Sequence, residues 1–171
     1  FREFERTSTA AVNAYIQPIV GRYLDNIQQH LRQRGCQRDL LVMQSNGGVC
    51  SPEAASVKAA STLLSGPAAG PVAGLAYAGK DKNFITIDMG GTSFDVSLID
   101  NGESVLSAQT TIDFGMVVRT PMIEITTIGA GGGSIAWVDS GGLLRIGPES
   151  AGSIPGPVCY GQGNNRPTVT D

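Results

Sequence analysis

The sequence predicts a mixed α/β fold in which antiparallel β-hairpins are flanked by helices. Three observations carry this prediction. Apolar residues recur at helical spacing through the first third of the chain; later segments alternate with the period of a strand around glycine turns; and most of the 23 glycines lie after Ser65. Glycine far exceeds its usual ~7% share. It shows no collagen-like period, so it belongs to tight turns and close backbone approaches.

The helical part is read from Val12, Tyr15, Ile16, Ile19, Val20, Tyr23, Leu24, Ile27 and Leu31, which share one face at three- and four-residue steps. Pro18 is expected to kink this helix or to separate two shorter ones, and Gly35 to close it. Asp39–Met43 is a short buried strand candidate, followed by a turn at Gln44-Ser45-Asn46-Gly47-Gly48. Ser51-Pro52-Glu53 has the order N-cap, first-turn proline, first-turn acid, which predicts a helix to about Ser61. Ser65-Gly66-Pro67 should break it, and the small residues of Ala68–Gly79 suit a helix packed closely on a sheet.

Strands come next. Phe84–Ile87 is one, and Phe94–Ile99 alternates with period two. Asn101-Gly102 is a hairpin signal leading to a third strand near Glu103–Thr111, which predicts three consecutive antiparallel strands. Met122–Ile128 is a further strand candidate. Ser134–Val138 and Leu143–Ile146 flank a hairpin loop at 139–142, and from Gly147 onward the glycine and proline content predicts irregular chain.

Composition narrows the function. With 41% hydrophobic and 16% charged residues, the chain is suited to a packed core rather than to disorder. A net charge of −3 leaves no basic footprint for nucleic acid or for an anionic membrane. No apolar run approaches the ~20 residues of a bilayer span. The opening Phe1-Arg2-Glu3-Phe4-Glu5-Arg6 has neither an initiator Met nor a signal-peptide core, so an excised segment of a longer protein is expected. Cys36, Cys50 and Cys159 are odd in number and form no C-x-x-C pair, consistent with reduced thiols in the cytoplasm. His30 is the sole histidine, which excludes a Ser-His-Asp triad or a multi-histidine metal site within this chain.

Chemistry centres on Asp88-Met89-Gly90-Gly91-Thr92-Ser93-Phe94-Asp95. A strand delivers Asp88 to a glycine turn, and a second strand leaves it. Gly90 and Gly91 allow backbone amides to approach an anion, and Thr92 and Ser93 complete a phosphate-binding turn. Asp88 is the candidate catalytic carboxylate, holding Mg²⁺ or orienting water, with Asp95 a second carboxylate for the metal. The plain alternative is an ordinary Gly-Gly hairpin. Gly131-Gly132-Gly133-Ser134 formally opens a dinucleotide fingerprint. A strand and turn follow where that motif needs a helix, which excludes the dinucleotide reading. The loop is either a nucleotide or substrate contact or a glycine turn between strands.

The order of elements around Asp88–Asp95 resembles the second phosphate loop of the actin, sugar-kinase and heat-shock ATPase superfamily. Further motifs narrow the match. They are Thr127–Ala136, Gly147-Pro148-Glu149-Ser150-Ala151-Gly152, Pro155–Gly161 and Pro167-Thr168-Val169-Thr170-Asp171. With the Asp88 loop they resemble the hydantoinase A/oxoprolinase family over roughly the whole chain. That resemblance implies a ribonuclease-H-like α/β domain, here a single partial domain with a helical region at 1–64 and the phosphate-loop hairpin and glycine-rich β region at 65–171. It also implies ATP and Mg²⁺, a small cyclic amide such as a hydantoin or 5-oxoproline, and a second enzyme subunit. The activity implied is ATP-dependent opening of the ring through phosphorylation of its amide oxygen. A ketone carboxylase subunit or a nucleotide-gated binding module of the same superfamily is the alternative. Superfamily members clamp ATP between two lobes, each with its own phosphate loop. One loop appears here, so the chain is expected to supply half of an ATP site and to be inactive alone.

Overall fold

The computed structural model describes residues 2–79 and 82–171. In chain order its helices are α1 (Glu3–Gln33), α2 (Pro52–Val57) and α3 (Ser65–Ala78). The strands begin with β1 (Val42–Met43) and β2 (Val49–Cys50), then β3 (Phe84–Met89), β4 (Phe94–Asp100), β5 (Glu103–Ser104) and β6 (Leu106–Ser107). They continue through β7 (Thr110–Ile112), β8 (Met116–Val118), β9 (Met122–Ile123), β10 (Ile125–Ile128), β11 (Ser134–Val138) and β12 (Leu144–Ser150). This is a mixed α/β architecture, and the strand registers are antiparallel throughout the pairs β1–β2, β4–β5, β4–β10, β6–β9, β7–β8 and β11–β12.

The chain forms two compact units that interleave in sequence. One comprises Phe1–Phe84 with Leu98–Glu124, the other Ile85–Ser97 with Ile125–Asp171.

In the first unit α1 is one uninterrupted helix, not two joined at Pro18. Proline removes the hydrogen bond to the carbonyl four residues back, that of Ala14. Both Pro18 and Ala14 are exposed, so water can satisfy that carbonyl. The helix ends as expected at Gly35, which takes a φ of +83°. Cys36 N–H donates to the Leu31 carbonyl and Gly35 N–H to Arg32, the paired bonds of a Schellman end. The Ser51 hydroxyl accepts from the Ala54 amide, capping α2 behind Pro52. Thereafter the chain tightens into a 3₁₀ turn at Ala59–Thr62 instead of continuing as α-helix. Contrary to the expected break, α3 starts at Ser65 itself, after Leu64 adopts a left-handed conformation.

The core of this unit is Val12, Ala60, Val118 and Met122, with Ile16, Leu63 and Ile112 against it. The buried Ser45 hydroxyl donates toward the Ser61 and Leu63 carbonyls, while its own carbonyl accepts from Ile123 N–H at 2.8 Å. One serine thus ties the 44–48 turn to two other segments. The expected third strand at Glu103–Thr111 is broken into β5, β6 and β7, which pair with different partners. Asn101 and Gly102, both at positive φ, make the turn that precedes it.

In the second unit β4 lies between β3 and β10. The second hairpin, β11–β12, forms where expected, and β12 extends through Ser150 beyond the predicted irregular boundary. Its loop is latched by Asp139, whose carboxylate accepts from the Gly141 and Leu143 amides and from Arg145 Nε at 2.7 Å. Trp137 donates from its indole to the Gly147 carbonyl at 2.8 Å, which fixes it as a packing residue of this hairpin.

Candidate functional site

The site is built within the second unit from two glycine turns laid against each other. Gly90 N–H donates to the Ser93 carbonyl at 3.0 Å, closing the first turn. The second turn then laces onto it. Gly131 N–H donates to Thr92 O at 3.3 Å, Gly132 N–H to Gly90 O at 2.9 Å, and Gly133 N–H to Gly91 O at 2.8 Å. Ser134 N–H turns back to Gly131 O at 2.9 Å.

This contact explains the glycines. A Cβ on Gly131 would stand 2.5 Å from both Ser93 N and Thr92 C. On Gly133 it would stand 3.0 Å from Gly91 O, and on Gly132 2.7 Å from the Thr170 hydroxyl. At Gly131 and Gly133 backbone meets backbone, and only glycine permits the approach.

The lacing also divides the donors. The amides of Gly131, Gly132, Gly133 and Ser134 are all consumed by backbone carbonyls. Among the described residues, the amides of Gly91, Thr92 and Ser93 meet no protein acceptor. Consecutive amides without a protein acceptor can form an anion-binding concavity; of these three residues, Gly91 and Thr92 line the cleft described next and Ser93 does not.

Beside the turns lies a cleft of about 680 Å³. Gly90, Gly91 and Thr92 form one wall, Gly132 and Gly133 another. Ser150, Ser153, Tyr160 and Thr170 contribute hydroxyls, and no charged side chain lines it. Gly131 and Ser134 lie behind this surface, and Ser134 is buried.

The two predicted metal carboxylates share a face of the sheet. Thr86 and Ser97 hydroxyls meet at 2.5 Å, so the side chains at 86 and 88 of β3 point to the same side as those at 95 and 97 of β4. Asp88 is exposed and takes no hydrogen bond among the described residues, whereas Asp95 accepts from the Thr127 hydroxyl at 2.6 Å. No cluster of three or more His, Cys, Asp or Glu occurs among the described residues. One uncommitted carboxylate with a second nearby on the same face fits Mg²⁺, which uses one or two carboxylates and takes the rest of its shell from phosphate and water.

A residue without an assigned role in the sequence closes the site from the far side. The Asp171 carboxylate accepts from the amides of Val158, Cys159 and Thr168 and from the Thr168 hydroxyl, at 2.7–3.0 Å. It thereby holds the 157–160 turn that carries Tyr160. Burial opposes its ionisation, but the Cys159, Thr168 and Val158 amides together outweigh it and keep the carboxyl well below the usual range. The neighbouring Thr170 donates to the Gly132 carbonyl from its amide at 3.1 Å and from its hydroxyl at 2.9 Å. In the sequence Asp171 stands only within the Pro167–Asp171 motif, with no role attached. Cys159 is exposed rather than a buried hydrophobe, and the Asp171 carboxylate beside it pushes its thiol up. Glu149 is paired with Arg166 at the surface and does not line the cleft.

Comparison with known proteins settles the lineage. The family model described as Hydantoinase/oxoprolinase matches residues 6–171. The chain belongs to the hydantoinase/oxoprolinase family. Among its relatives is the caprolactamase subunit alpha of Pseudomonas jessenii, 48% identical over 99% of this chain and 25% of that protein. The acetophenone carboxylase gamma subunit of Aromatoleum aromaticum is 41% identical over 99% of the chain and 23% of its own length. The 5-oxoprolinase of Saccharomyces cerevisiae is 36% identical over 97% and 13%. In structure, the chain superposes on the ATP-dependent caprolactamase of Pseudomonas jessenii with a TM-score of 0.77 and 46% identity, over 99% of this chain and 25% of that one. The corresponding TM-score for nucleotide-free acetone carboxylase is 0.69 at 31% identity, over 98% and 24%. The chain therefore spans a quarter or less of these family members. No described helix is long and apolar enough to cross a membrane.

Proposed function

We propose that this chain is the phosphate-binding part of an ATP-dependent enzyme that opens a cyclic amide. The observation that carries the reading is the division of amides: Gly91 and Thr92, whose amides meet no protein acceptor among the described residues, line the cleft, while the amides of Gly131, Gly132 and Gly133 are spent on carbonyls of the 90–92 turn. Gly131, Gly132, Gly133 and Ser134 are then the scaffold of the site rather than its ligand contacts.

The chemistry follows from charge. Amides and hydroxyls alone leave a polyphosphate poorly neutralised, so a divalent cation would be required. Asp88, at the end of β3, would hold Mg²⁺, and Asp95, oriented by Thr127, would support it from the same face. ATP supplies the phosphoryl group that turns an unreactive amide oxygen into a leaving group. Thr92 and the turn amides fix that group and take up charge as it transfers. No nucleophile is needed from the chain, which suits a site whose cleft holds only neutral side chains.

We further propose a ribonuclease-H-like lobe of the actin and sugar-kinase kind, with the other phosphate loop elsewhere in the longer protein. The single partial domain envisaged from the sequence then comprises both compact units. The named subunits among the relatives support a second subunit as partner, and the three free cysteines support a cytoplasmic setting. The carboxylase relatives favour one other reading, in which a ketone-derived oxygen takes the phosphoryl group. Phosphate release by the complete protein with Mg·ATP separates the two. Stimulation by lactams or hydantoins is expected; stimulation by a ketone with bicarbonate alone contradicts the cyclic amide assignment. Failure of the protein to bind ATP contradicts both.

A further inference from the structure

A second cleft, in the first unit and apart from every residue of the candidate phosphate site, measures about 510 Å³, within the range of small-molecule sites. Three cations, Arg6, Lys58 and Arg119, stand around it, and no acidic side chain lines it. None of the three is ion-paired among the described residues. Between them the surface is apolar, formed by Ala10, Val57, Ala60 and Pro121.

The walls are set by hydrogen bonds that leave the cations uncommitted. Asn13 bridges the turn beside α1, donating to Val57 O at 3.1 Å and accepting from Ala60 N–H at 2.9 Å. Thr9 accepts from Arg119 N–H at 2.8 Å, which fixes the 119–121 segment to the same helix.

We infer that this cleft binds a small organic carboxylate: an anionic head between Arg6, Lys58 and Arg119, and a short apolar body over Ala10, Val57 and Pro121. A bare inorganic anion leaves the apolar surface wet, and a neutral apolar ligand leaves three cations unanswered. The inference is independent of the ATP site.

The test is calorimetric titration of the complete protein with hexanoate, with hexanol as the neutral counterpart and inorganic phosphate as the bare anion. Hexanoate is expected to bind at least about tenfold more tightly than either, since a charge-assisted contact is worth that much or more. The double substitution Arg6→Gln/Arg119→Gln should weaken hexanoate at least about tenfold. Absence of hexanoate binding, equal binding of hexanol or phosphate, or unchanged affinity in the double variant overturns the proposal.

Discussion

The Gly132 amide donates to the Gly90 carbonyl at 2.9 Å, joining two glycine turns that are far apart in sequence. Equivalent bonds at Gly131 and Gly133 make the joint a short ladder. Its consequence is that the second turn has no amides to offer a ligand, and the first has three. A glycine-rich loop in a nucleotide-binding protein is readily read as a phosphate contact; in the function proposed above, this loop instead supports one.

Substitution at Gly131 should expose this most sharply. An added methyl collides with the backbone of Thr92 and Ser93, which cannot rotate away. A penalty of about 3 kcal/mol is expected, at the top of the range for overpacking. Amide hydrogen exchange at 131–134 should accelerate about a hundredfold in Gly131→Ala. Gly129→Ala, where an added Cβ meets nothing within 4 Å, should leave exchange unchanged.

Ser45 offers a test in the first unit. Replacing it with alanine removes the one hydroxyl proton shared between the Ser61 and Leu63 carbonyls. A loss of about 1–3 kcal/mol is expected, read as an earlier onset of thermal unfolding.

Asp171 makes a prediction in pH. Its carboxyl is depressed in the fold, so it contributes stability above its unfolded value near 3.8, and this is lost as pH falls below that value. Asp171→Asn should therefore melt below wild type at pH 7. The gap should begin to close below about pH 4, as wild type loses the same contribution. A gap that widens on acidification contradicts the assignment.

Much of this was legible in the sequence because the signals are local. Ser51-Pro52-Glu53, Gly35, Asn101-Gly102 and the Asp88–Asp95 hairpin each contain their own structural instruction. The breaks did not show. Residues 103–111 read as one strand, but they pair with three different partners, a tertiary choice that period-two alternation does not record. Likewise Pro18 signals interruption by its chemistry, yet its exposed position lets the helix run on. Nor does the interleaving of the two compact units follow from composition. At the site, the residues of the glycine loop were evident and their task was not, since whether an amide faces a ligand or a carbonyl depends on what packs against it. Asp171 was hidden for the same reason: its donors come from residues 158, 159 and 168, and nothing in their identity announces a shared acceptor.

The central claim is that the Asp88 hairpin, not the 131–134 loop, engages the nucleotide. Titration of Mg·ATP into the complete protein, comparing wild type with Asp88→Ala, tests it most directly. The account predicts an affinity at least about tenfold weaker for Asp88→Ala, in line with loss of a charged contact. Equal affinity in the two proteins would contradict it.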